Sequence, residues 1–226
     1  MRIRNSKMMK LLLSILCYVL LFASCGGNAK QYAITADETI PNQVKLKVKD
    51  KPRIIHVYLF GVFPTDLGKQ MIKELQEVYP SVHYARQISL PDSAYYAPRN
   101  RYLAAKLLNT MMTLQSNNDM VLGMTTKDIS LKYKEHENWG VMGLSYLNKR
   151  AAVISTYRLR IPSKRSEHLR KLMLHELGHV EGLPHCKAEN CIMHDAEGQN
   201  RFSQLDDFCS SCKAVFKSKG WNMNYV

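Results

Sequence analysis

One eleven-residue stretch constrains this chain more than any other: His175-Glu176-Leu177-Gly178-His179, then Gly182, then Leu183-Pro184-His185. Leu169, Leu172, Met173, Leu177 and Val180 recur at helical spacing and predict a helix from about Ser166. Residues four apart stack on one helix face, so both imidazoles can reach a single ion. Gly182 can take a left-handed conformation that ends the helix and turns the chain back, and Pro184 cannot continue it. His185 then returns as a third ligand, leaving a fourth position open, as a catalytic zinc site requires. Glu176 falls where its carboxylate can meet water held at such an ion. Zinc lowers the pKa of that water from about 15.7 to near 7, and the glutamate accepts its proton. The five-residue H-E-x-x-H is common by chance; the extended pattern is far more specific.

Four of the six cysteines follow closely. Cys186 and Cys191 are spaced C-x4-C immediately after His185, and Cys209 and Cys212 are spaced C-x2-C on a helix expected over 203–216. Two fates fit four thiols so placed: a closed tetrahedral structural zinc, or two disulfides under oxidising conditions. Met193 is either one of twelve methionines filling core gaps or a turn residue beneath the metal.

Charged residues make up 23% of the chain and hydrophobic ones 46%, which excludes a disordered or collagen-like protein. Four residues of the basic excess, Arg2, Arg4, Lys7 and Lys10, precede the apolar run Leu11 to Phe22. That run is short of the roughly 20 residues that span a bilayer and has the build of a secretory signal. Leu21-Phe22-Ala23-Ser24-Cys25 resembles a bacterial lipobox, with Phe22 where leucine is usual. Residues 1–24 are therefore expected to be a lipoprotein-type signal peptide and Cys25 the lipidated residue; an ordinary cleaved signal is the alternative. Lipid on Cys25 would hold the protein at a membrane without a transmembrane helix. The division that follows is 25–50 for the lipidated cysteine and tether, and 51–226 for one domain. Export, and the lack of an aromatic-basic platform, argue against nucleic acid. A monomer in the bacterial cell envelope is the expectation. Lys45, Lys47, Lys49, Lys51 and Arg53 alternate with Val44, Leu46 and Val48. They read as an edge strand with lysines outward, or else as a contact for anionic headgroups.

Along the domain, 53–60 reads as a buried central strand. Thr65 is placed to cap a helix striped by Leu67, Met71, Ile72, Leu75 and Val78. A strand over 82–88 and a loop over 91–98 follow, then a helix over 100–115 and a strand over 120–124. Strands over 139–146 and 151–157 lead into the histidine-bearing helix. Helices alternating with strands predict an α/β layered domain.

Taken together, His175 to His185, Cys186, Cys191, Met193, Cys209 and Cys212 resemble the archaemetzincins, a family of metzincin-clan metallopeptidases. The similarity extends upstream to Pro91-Asp92-Ser93-Ala94-Tyr95 with Pro98-Arg99-Asn100-Arg101-Tyr102, to Leu122-Gly123-Met124-Thr125, and to Ser155 through Leu159, so that it covers roughly residues 53 to 216. The resemblance implies a zincin-like metzincin fold, α/β in the α+β sense: a mixed twisted sheet with backing helices, an active-site helix and a small zinc-stapled C-terminal lobe. It implies two zinc ions, one catalytic on His175, His179 and His185 and one structural on Cys186, Cys191, Cys209 and Cys212. Glu176 would be the general base and Met193 the Met-turn residue. An edge strand above the cleft would pair with an extended peptide or protein substrate, and 139–146 is the candidate. Ala94, Tyr95, Tyr96 and Arg99 are expected to be structural. His56, His83, His136 and His168 are expected in core or surface roles, and His194 is expected to line the cleft.

Three features depart from the family pattern: Arg101 stands where glutamine is usual, the stretch from Met193 to Cys209 is shorter, and an exported, membrane-tethered form is not the familiar soluble one. The function that follows is a zinc metallopeptidase cutting peptide bonds outside the cytoplasm. A catalytically weak zinc protein binding peptides or a partner in the same cleft, or a zinc hydrolase of a non-peptide amide, are the alternatives.

Overall fold

The computed structural model describes residues 53–114, 118–147, 149–195 and 199–224. The expected signal segment, Cys25, the tether and the lysine-rich run up to Lys51 lie outside the described residues. In chain order the elements are β1 (Ile55–Phe60), α1 (Thr65–Val78), β2 (Val82–Ile88), β3 (Tyr95–Tyr96), β4 (Arg101–Leu103), α2 (Ala104–Leu114) and β5 (Met120–Thr125). There follow β6 (Ile129–Tyr133), β7 (His136–Val141), β8 (Gly143–Ser145), β9 (Ala151–Ser155), α3 (Arg165–Val180) and α4 (Ser210–Ser218).

The principal sheet has the order β2-β1-β5-β9-β8. Its first four strands are parallel and β8 runs antiparallel to β9. Successive strand residues point to opposite faces, and β1 shows the consequence. Ile55, Val57 and Leu59 enter one core with α1 and α3, while Tyr58 and Phe60 enter another with α2. A strand covered on both faces must be apolar throughout, which is why 53–60 was legible as central. The α1 stripe is buried as its spacing predicts: Met71, Leu75 and Val78 fully, Leu67 and Ile72 against the core margin. Thr65 is not the cap, however. Pro64 occupies that position, Thr65 is the first helical residue, and no side chain caps the helix.

A second sheet, β3-β4-β6-β7, was not expected. Arg101–Leu103 join it, so the helix read over 100–115 starts at Ala104. The expected strand over 139–146 divides at Met142: β7 ends the second sheet and β8 ends the principal one. Among the described residues each therefore has a single neighbouring strand, and the outer edge of β8 has none. No described helix is long and apolar enough to cross a membrane.

Asp128, just before β6, ties the second sheet to the chain leaving β9. It accepts from Arg101 Nε (2.6 Å) and from Arg158 Nε (2.9 Å) and Nη2 (3.0 Å). Arg101 also donates to the Asn138 carbonyl of β7 (3.0 Å). Arg101, the departure from the family pattern, is thus a structural tie. The Asp128 side chain is only 6% exposed, so removing it leaves two guanidinium groups without their anion. Asp128→Ala is expected to cost about 3 kcal/mol in denaturant unfolding; a loss within about 0.5 kcal/mol would show the network to be energetically idle.

Candidate metal centre

α3 packs across β8 and β9 and buries Leu169, Leu172, Met173, Leu177 and Val180. Each fully buried leucine contributes about 1.5–3 kcal/mol, enough to fix the helix rotation and hence the face that carries the histidines. The helix ends as the sequence requires. Gly182 has φ +98°, its amide bonds to the His179 carbonyl (3.0 Å), and the Leu183 amide bonds to the Gly178 carbonyl (2.9 Å). That pair of bonds is a Schellman ending, and it turns the chain back beneath α3.

The returning chain aims the helical histidines. His175 Nδ1–H donates to the Ile192 carbonyl (2.7 Å), and His179 Nδ1–H donates to the Leu183 carbonyl (2.6 Å). A carbonyl only accepts, so both rings hold their proton on Nδ1 and carry the lone pair on Nε2. Those two Nε2 atoms face each other at 3.2 Å. His185 joins them, its ring centroid 4.8 Å from that of His179 and 5.5 Å from that of His175. Its Nδ1 lies 3.4 Å from Asp195 Oδ2. One ligand atom from each of the three histidines falls within 4.8 Å of the others. Burial pushes the His175 imidazole down to about 4 and holds His179 and His185 below the usual range. All three are therefore neutral at pH 7, the form that ligates metal.

Two acceptor lone pairs at 3.2 Å repel unless a cation lies beside both. Imidazole nitrogens about 2.0–2.1 Å from a tetrahedral zinc would be about 3.3 Å apart. The histidine set fits zinc by this measure, and its carbonyl and carboxylate partners are those that orient metal-bound histidines.

The cysteines form a second cluster, with ligand atoms again within 4.8 Å of one another. Cys186 and Cys209 sulfurs lie 3.7 Å apart, and Cys191 and Cys212 sulfurs 3.8 Å apart. A disulfide needs about 2.05 Å; thiolates about 2.3 Å from a tetrahedral zinc sit about 3.8 Å apart. All four cysteines are free, so their geometry fits a metal and not two disulfides. The Cys191 and Cys212 sulfurs share a hydrogen bond, and the Cys191 sulfur also accepts from the Cys209 amide (3.3 Å). Hydrogen bonding between the two sulfurs holds Cys191 down and pushes Cys212 up. The helix expected over 203–216 begins only at Ser210, and Cys209 is its N-cap residue.

Met193 is fully buried. A Cβ on Gly178 would lie 2.5 Å from its sulfur, so Met193 packs directly beneath the histidine-bearing turn of α3. Its carbonyl accepts from the Cys186 amide (2.8 Å). Glu176, only 6% exposed, points toward β8, where Oε2 accepts from Ser145 Oγ (2.6 Å). Burial pushes its carboxyl up to about 7, opposed by the Ser145 bond. Sequence reading missed Ser145, because a lone serine in a short strand carries no pattern. His194 pairs its backbone with Cys186, and its Nδ1 is buried with no hydrogen-bond partner among the described residues. His56 bonds Asp119 and His168 bonds Ser203, whereas His83 and His136 are exposed. Ala94, Tyr95, Tyr96 and Arg99 belong to β3 and its flanking turns, outside both clusters.

A mixed sheet whose antiparallel edge strand faces a helix carrying two histidines, joined by a third from the turn that follows, has the build of the zinc-dependent peptidases. The comparisons narrow it further. The model of peptidase family M54 matches residues 64–218. Archaemetzincin from Halobacterium salinarum is 31% identical over 166 residues, covering 68% of this chain and 93% of that protein. Archaemetzincin from Methanopyrus kandleri is 35% identical over 135 residues, covering 58% and 75%. A crystal structure of archaemetzincin from M. kandleri superposes with a TM-score of 0.63 at 26% identity, covering 76% of this chain and 98% of that one. The chain belongs to the archaemetzincins, peptidase family M54. It is a zinc metallopeptidase of that family.

Proposed function

We propose that His175, His179 and His185 hold a catalytic zinc, that Glu176 is the general base, and that Cys186, Cys191, Cys209 and Cys212 hold a second, structural zinc. The observation that carries the first assignment is the pair of Nε2 lone pairs facing each other at 3.2 Å, with both Nδ1 protons committed to carbonyls. Held by the three histidines, zinc would supply Lewis acidity to polarise a scissile carbonyl and to lower the pKa of the attacking water. Glu176 takes the proton from that water and passes it to the leaving amine. Its burial suits this shuttle, because a carboxylate shielded from bulk solvent keeps the proton for the leaving group. The outer edge of β8, beside Glu176 and without a neighbouring strand among the described residues, offers backbone groups to an extended peptide, which would add as a further strand. Met193 supports the site from below, as the Met-turn residue.

We further propose that lipid on Cys25 holds the protein at a membrane of the bacterial cell envelope, with residues 1–24 removed. The support is the basic start, the twelve-residue apolar run and the small residues before Cys25.

Two experiments test these readings. Zinc-loaded full chain in detergent, incubated with a diverse peptide library and analysed by mass spectrometry, is expected to give cleavage that Glu176→Ala abolishes while keeping its zinc. Cleavage that survives in Glu176→Ala would remove that residue from the mechanism. Fractionation of cells is expected to place the wild type with membranes and Cys25→Ala in the soluble fraction or as an uncleaved precursor. Mature Cys25→Ala partitioning like the wild type would rule out the lipid anchor.

A further inference from the structure

Two residues of β8 act on the Glu176 carboxylate. Positions 143 and 145 are two apart and project to the same strand face, and that face meets α3. Ser145 Oγ bonds Oε2 at 2.6 Å. At position 143, a Cβ would stand 2.4 Å from Oε1 and 2.7 Å from both Cδ and Cγ. The Glu176 side chain therefore fills the space that a side chain at 143 would need, while Ser145 holds its other oxygen. Glutamate has several rotatable side-chain bonds, and a buried carboxylate without a donor is costly to keep in place.

We propose that Ser145 is a positioning residue for Glu176 and that Gly143 provides the space it needs. The strand that offers its outer edge to substrate then also sets the rotamer of the proton-transferring group. This inference rests on Glu176 being the general base. Ser145 acts through Glu176 and not on the peptide, so its loss slows turnover without weakening binding. A hydroxyl at the same position should restore the effect, whereas a role in packing would respond to side-chain volume alone.

The test uses zinc-loaded full chain, a peptide cleaved in the library, and the variants Ser145→Ala, Ser145→Thr and Glu176→Ala. The expected result is that Ser145→Ala loses about tenfold or more in kcat, the size of one charge-assisted hydrogen bond. KM and zinc content should stay at wild-type values, and Ser145→Thr should recover most of the rate. Crystal structures of wild type and Ser145→Ala, both zinc-loaded, provide a readout independent of turnover, in which Glu176 is expected to rotate away from β8 in the variant. Wild-type kcat in Ser145→Ala, a rise in KM alone, or an unmoved Glu176 would overturn the proposal. Turnover persisting in Glu176→Ala would instead overturn the general-base assignment on which it rests.

Discussion

Everything at this site depends on two hydrogen bonds from imidazole to backbone carbonyl. By donating from Nδ1, His175 and His179 commit their lone pairs to the same small volume, a disposition neutral rings would not choose without a cation. The two carbonyls, Ile192 and Leu183, both come from the chain that follows the Gly182 turn. That segment also delivers His185 and tucks Met193 against Gly178. A single reversal of the backbone, permitted by one glycine at φ +98°, thus brings up the third histidine and aims the other two.

The cysteines bear on the same segment. Cys186 follows His185 directly and Cys191 precedes Ile192, so two of the four thiols lie within the 183–192 segment whose end carbonyls orient the histidines. Cys209 and Cys212 approach from the start of α4. Drawing four sulfurs together pins this segment to the end of the chain, and the Ile192 amide, bonded to the Asp207 carbonyl at 2.9 Å, adds a backbone tie. Behind α3, buried Glu181 accepts from Trp221 (2.9 Å) and from Arg53 (2.5 Å). Arg53, before β1, and Trp221, after α4, thereby meet at Glu181, the residue that ends α3. The cysteine cluster thus stiffens the loop that gives the histidine set its geometry.

The sequence disclosed most of the site because ligation imposes spacing. Seven ligand candidates, Glu176 and Met193 could be named from i, i+4 stacking, a glycine turn and paired cysteines, and the structure brings each ligand set together. The central strands and α1 were legible for a related reason: burial on both faces or on one stripe leaves a pattern. What escaped depends on tertiary pairing. β6 begins with buried Ile129 but ends in exposed Lys132 and Tyr133, so no strand period stands out. Met142 lies between Gly140 and Gly143, glycines that interrupt the strand pattern, but they do not reveal that β7 and β8 part there into different sheets. Arg101–Leu103 look helical because their neighbours are, yet Tyr102 and Leu103 pair with β6. Ser145 became visible only once β8 lay against α3.

The central claim, that the two convergent ligand sets are zinc sites, is tested most directly by anomalous diffraction recorded on either side of the zinc absorption edge. The account predicts two anomalous peaks, one bounded by the Nε2 atoms of His175 and His179 with His185, the other centred among the sulfurs of Cys186, Cys191, Cys209 and Cys212. A histidine cluster without a peak in zinc-loaded crystals, or the cysteines joined as disulfides, would contradict it.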